Sequence, residues 1–152
     1  MAGAILALAS VFAITIAVQT GVFLIGAVLF PVGFCMLYLM GFDLLTGVFV
    51  LTPLAWLAKR PGVTWSQILR NWGFVFLGNF AGALTVAFMM SYIFTMGYNV
   101  DGGAIATKVA SIGEARTLGY AEHGVAGWIT IFIRGMLCNW MVSLGVVGAM
   151  IS

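Results

Sequence analysis

The sequence predicts an all-α protein that crosses a lipid bilayer several times, with a second crossing broken partway. Three observations predict it. The first charged residue is Asp43, and the forty-two residues before it hold no Lys, Arg, Asp, Glu or His. One crossing needs ~20 apolar residues, so that run suits two. Hydrophobic residues make up 63% of the chain and charged residues 7%, against ~25% charge in a soluble domain. Finally, apolar runs recur along all 152 residues, so short-looped helices use up the chain and leave no room for a soluble domain.

The same composition excludes several function classes. The net charge is +2 and no basic run exists, so no nucleic-acid partner is expected. Cys35 and Cys138 both lie in apolar runs, and neither belongs to a CxxC pair. With one histidine and no ligand-spaced cluster, neither a metal nor a cofactor is expected. No nucleophile–base pair, paired carboxylates or phosphate-cradling glycine loop appears, so the chain is not expected to be an enzyme. The first apolar run does not read as a signal peptide: it lacks a positive n-region and passes through Gln19-Thr20-Gly21 straight into another apolar run.

The first crossing is expected over about residues 3–18, rich in Ala, Ile and Val. The second, about 22–58, contains Pro31 and Gly33 and is interrupted by Gly41-Phe42-Asp43-Leu44-Leu45-Thr46-Gly47. Counting decides how that interruption reads. The 37 residues from Val22 to Ala58 are too many for one straight helix and too few for two crossings plus a turn. A half-helix, an irregular loop around Asp43–Gly47 and a second half-helix fit better than a turn between two ordinary helices. Irregular backbone at that depth is tolerated only where protein buries it or it lines a cavity. The start of a half-helix offers free N–H groups and a positive dipole end to an anion.

The third crossing is expected over about 66–96, with Thr64 available as a cap. Its Gly78 and Gly82, four residues apart, would admit a neighbouring helix closely. A polar loop from Gly97 to Gly124 follows, in which Lys108 to Ala121 fits a short surface helix, and a fourth crossing takes about 126–151. Together they make one transmembrane domain over 1–152. Lys59, Arg60 and Arg70 carry the first loop without an acid, whereas the later loop mixes acids and bases. The positive-inside rule therefore places the first loop and the N-terminus in the cytoplasm, with Trp56, Trp65 and Trp72 flanking that face.

Few side chains are left to carry chemistry. A charged carboxylate at mid-depth costs ~2.5–3.5 kcal/mol on insertion scales. Asp43 is therefore expected to fasten the loop rather than take part in transport. Thr46 either caps the second half-helix or offers its hydroxyl to a permeating ion. Arg134 either snorkels, meets a neighbouring subunit or lines a polar vestibule. Asn139 either glues helices or donates to an anion. His123 is either a solvated loop residue or a proton donor or cation at a vestibule.

Four segments in register resemble the formate/nitrite transporter family over the whole chain: Gly41–Gly47, Trp65–Trp72, Gly78–Leu84 and Arg134–Val142. The long loop, with Lys108 and Glu114–Tyr120, looks closest to the nitrite-transporter branch of cyanobacteria and algae. The resemblance implies a homopentamer with an aquaporin-like helical bundle in each protomer, built from two inverted repeats. It implies that Leu44, Leu45 and Thr46 form a mobile loop at the constriction, that Phe30, Phe34 and Val142 line a hydrophobic slit, and that Asn139 faces the pore. His123 stands sixteen residues before Asn139, where the family usually has a lysine. Either His123 supplies a weaker, pH-dependent charge, or Lys108 or Arg116 substitutes, or the attraction is lost. The family has six crossings and a pore histidine on the fifth. The chain thus reads as the first repeat plus the start of the second, a piece of a longer channel.

The expected function is a channel for small monovalent anions, nitrite or formate, passive or proton-linked, in the plasma membrane. A membrane-embedded scaffold is the alternative. A water channel is disfavoured because the twin Asn-Pro-Ala motifs are missing.

Overall fold

A bilayer offers backbone amides no partner, so an apolar chain must satisfy them within itself, and helices do this locally. The computed structural model describes residues 1–151, the side chains of 150 and 151 excepted; residue 152, the last of the expected single domain, lies outside the described residues. The regular elements are all helices: α1 (Ala2–Thr20), α2 (Phe23–Leu29), α3 (Val32–Leu39), α4 (Leu45–Leu57), α5 (Trp65–Phe94), α6 (Gly103–Arg116), α7 (Leu118–Ala121) and α8 (Gly124–Ile151). Of these, α1, α5 and α8 are long and apolar enough to cross a membrane. The apolar stretches Phe23–Leu39 and Leu45–Leu57 are shorter. At 1.5 Å per residue they reach about 25 Å and 20 Å, less than the ~30 Å of a hydrocarbon core.

Two interruptions, not one, divide residues 22–58. At Phe30-Pro31 the chain only bends. Both residues stay in the right-handed helical region, the Phe30 N–H still reaches the Gly26 carbonyl at 3.0 Å, and Cys35 reaches Pro31. Pro31 brings no N–H of its own, which is why helical backbone bends there. At Met40–Leu44 the helix truly ends. Gly41 takes φ 68°, its N–H meets the Tyr38 carbonyl at 3.1 Å, and the Phe42 N–H meets the Leu37 carbonyl at 2.9 Å. This is a Schellman stop, and Leu37 beneath it is fully buried. Leu44 is extended (φ −104°, ψ 138°) and α4 starts at Leu45. The unwound residues are therefore Met40–Leu44. Leu45–Gly47, expected in the irregular loop, already form the first turn of a helix.

The later boundaries follow local chemistry. Lys59 ends α4 with φ 52°, and the Arg60 N–H reaches back to the Ala55 carbonyl. Thr64 and Gln67 cap α5 reciprocally: the Thr64 N–H donates to Gln67 Oε1 at 2.9 Å, and the Gln67 N–H to Thr64 Oγ1 at 3.4 Å. The rings of Trp56 and Trp65 meet across the intervening loop, tilted at 49° with centroids 4.9 Å apart.

The chain divides into two units, and α5 contributes to both. In the first (Met1–Asp43 and Leu77–Glu114), α1 packs on α2 and α3 through small residues. A Cβ on Gly26 would strike the Ala13 carbonyl, and one on Gly33 would strike the Ala9 side chain. On α5, Gly82 would bring a Cβ 3.1 Å from the Ala4 nitrogen, whereas Gly78 faces open space. The close approach expected of both glycines is thus made by Gly82 alone, helped by Gly3, whose missing Cβ leaves room for the Asn79 backbone.

In the second unit (Leu44–Phe76 and Ala115–Ser152 in extent), α4 and α7 pack on α8. Val48, Ile68, Val75 and Val146 are its buried side chains. Among the described residues no polar or charged residue is fully buried. Large apolar side chains such as Trp128, Phe132 and Leu144 on α8 lie exposed, as lipid-facing positions do.

Candidate functional site

Among the described residues, the start of α4 leaves backbone amides without partners. A helix leaves its first N–H groups without intrahelical partners. In α4 the first helical bond is made by the Val48 N–H to the Leu44 carbonyl at 3.0 Å. Leu44 has no side chain able to cap, and no side-chain cap bond forms. Among the described residues the amides of Leu45, Thr46 and Gly47 therefore have no protein acceptor. Thr46 does not cap the helix, and among the described residues its buried Oγ1 has no hydrogen-bond partner. Three N–H groups and the positive end of the helix dipole, with a hydroxyl beside them, make an anion-tolerant surface.

Helix α8 packs on α4. Asn139, Val142 and Val146 are spaced three and four apart, which places them on one side of α8. Asn139 is exposed, Val142 is half-buried and Val146 is 3% exposed. The second unit thus brings together the helices that carry Leu44, Leu45 and Thr46 on one hand and Asn139 and Val142 on the other. Phe30 and Phe34 belong to the first unit, where their rings meet edge to face with centroids 5.7 Å apart.

Asp43 does not fasten the loop through its carboxylate, which is exposed and has no partner among the described residues. Its main-chain carbonyl does so, accepting from Asn79 Nδ2 at 3.1 Å. In the sequence, Gly78 and Gly82 stand out from the segment 78–82 and Asn79 does not. The missed signal was an amide inside an apolar helix, a group that must find a partner there. Trp72, expected at the membrane face, is instead half-buried and gives its indole N–H to α4. Asn71 beside it holds a buried Oδ1 without a donor among the described residues.

His123 lies exposed in the turn between α7 and α8. Gly127 lets α7 close onto the first turn of α8, since a Cβ there would strike the Tyr120 carbonyl. Tyr120 then receives a hydrogen bond on its hydroxyl from Arg134 Nη1, with the guanidinium 5.9 Å from the ring centroid. Of the alternatives for Arg134, the structure gives it a partner in its own chain. Lys108 and Arg116 are exposed on α6. Among the described residues no cluster of His, Cys, Asp or Glu is placed to hold a metal.

The sequence model of the formate/nitrite transporter family matches residues 1–152. The chain belongs to the formate/nitrite transporter family. Formate channel FocA of Escherichia coli (strain K12) is 35% identical over 95% of the chain and 49% of its own length. Formate channel FocA of Haemophilus influenzae is 33% identical over the same shares. Formate channel BtFdhC of Bacillus thuringiensis is 30% identical over 79% of the chain and 41% of its own length. The chain spans about half the length of the curated relatives it matches. No solved structure gives a significant match. Family membership and the apolar helices make this an integral, multi-pass membrane protein of a transporter family.

Proposed function

We propose that the full-length protein passes small monovalent anions, formate or nitrite, across the plasma membrane. The observation that carries this is the uncapped start of α4, with Thr46 beside it, on a helix packed against the α8 that bears Asn139. Moving a bare anion into apolar surroundings is prohibitive unless fixed donors replace its water. The amides of Leu45–Gly47, the Thr46 hydroxyl and the Asn139 amide are the donors for that exchange. The resemblance supports Phe30, Phe34, Leu44 and Val142 as the apolar groups that narrow the path, so the anion crosses protonated or partly hydrated, and passage is either passive or linked to protons.

The formate channels among its relatives support formate as a permeant. The resemblance of the loop with Lys108 and Glu114–Tyr120 to the nitrite-transporter branch supports nitrite. His123, Lys108 and Arg116 are the exposed groups available to draw an anion to the outer face. The resemblance further supports a homopentamer of aquaporin-like protomers built from inverted repeats. In it this chain supplies one transmembrane domain with the first four of six crossings, and the N-terminus lies in the cytoplasm.

Uptake of formate and nitrite into proteoliposomes carrying the full-length protein tests the reading. Thr46→Ala combined with Asn139→Ala removes two charge-facing hydrogen bonds of about 1.5–3 kcal/mol each, so uptake should fall at least tenfold. Unchanged uptake in the double variant refutes the proposed path.

A further inference from the structure

We infer that Trp72 is a positioning residue that holds the Leu45–Gly47 amides in place through a hydrogen-bonded clamp on α4; the inference rests on the reading that those amides meet the anion. Helix α4 has 13 residues, an uncapped start and Pro53 in its interior. Proline has no N–H, so the Phe49 carbonyl four residues earlier loses its helical donor. A helix this short is marginal without outside support. Trp72 on α5 supplies it. Its indole Nε1–H lies 2.9 Å from Thr52 Oγ1 and 3.1 Å from the Val48 carbonyl oxygen. The Thr52 hydroxyl donates to that same carbonyl at 2.6 Å. The indole ring also stands edge to face against Phe49, with centroids 4.7 Å apart at 86°.

The grip falls on Val48, Phe49 and Thr52, between the free amides and the proline. It fixes the turn that follows Leu45–Gly47 directly. All of these residues lie in the second unit. None of these contacts of the indole touches the permeant in this reading; Trp72 acts through α4.

The experiment uses the full-length protein in lipid nanodiscs and proteoliposomes. Trp72→Phe keeps a ring and removes the N–H, and Thr52→Val keeps the shape and removes the hydroxyl. Two readouts are taken: amide hydrogen exchange over residues 44–52, and the concentration dependence of formate and nitrite uptake. Losing a hydrogen bond of typical strength should speed exchange there about three- to tenfold and raise the half-saturating anion concentration several-fold. The double variant should be no worse than Trp72→Phe alone, because both belong to one network. A purely architectural role would lower maximal uptake and leave half-saturation unchanged, which overturns the inference. Unchanged exchange overturns it too. If Trp72→Phe fails to insert, Thr52→Val is judged by the same two readouts. Wild-type protein that takes up neither anion refutes the functional reading instead, and exchange alone then decides whether the clamp exists.

Discussion

At Gly3 a hydrogen stands where any other residue would drive a carbon into the Asn79 main chain. Backbone cannot step aside as a flexible side chain does, so Gly3→Ala should cost about 1–3 kcal/mol as overpacking. Gly78 meets nothing within 4 Å, and there Gly→Ala should be neutral or stabilise by up to about 1 kcal/mol through helix propensity. Thermal unfolding of the two variants in detergent, followed by fluorescence, separates them. Lys59 presents the opposite case, a side chain in left-handed backbone (φ 52°) where glycine belongs. Lys59→Gly should raise stability by about 1 kcal/mol in the same assay. These differences were not legible in the sequence. Gly78 and Gly82 look alike there, and only the path of α1 past α5 tells them apart.

Among the elements, α5 carries its own start signal. Thr64 was readable as a cap from the sequence, and the structure pairs it with Gln67 in both directions. Thr64→Ala should destabilise the helix start by about 0.5–2 kcal/mol, seen as faster amide exchange over residues 65–68. The break before α4 was readable from length, since residues 22–58 are too many for one straight helix and too few for two crossings plus a turn. Its limits were not. Leu45 and Thr46 open a helix that packs on α8 and takes a hydrogen bond from Trp72, where the sequence presents only the residues after a charge. Trp72 itself looked like an interfacial aromatic, because nothing along the chain reveals a carbonyl twenty-four residues away.

For the whole molecule, the arrangement of charges makes a claim that can be measured across a membrane. The proposed orientation, with the N-terminus inside, requires Gly62 to face the cytoplasm and Gly113 the outside. In intact cells, a membrane-impermeant maleimide should label Gly113→Cys and spare Gly62→Cys, once Cys35 and Cys138 are replaced by serine. The reverse pattern inverts the topology, and with it the outer position assigned to His123. Both glycines lie exposed, and a Cβ added at either would meet nothing within 4 Å. The substitutions are therefore tolerated on steric grounds, apart from the positive φ of 81° at Gly62.

By itself the sequence determined the all-helical class, the membrane setting and the family. Each rests on composition and local pattern: apolar run length, the scarcity of charge, and four motifs in register. Tertiary structure alone decided which glycine lies against a backbone, that Asp43 is held by its carbonyl through Asn79, and that an indole supports the helix start. Those depend on distance in space between residues far apart in the chain, which hydrophobic periodicity does not encode.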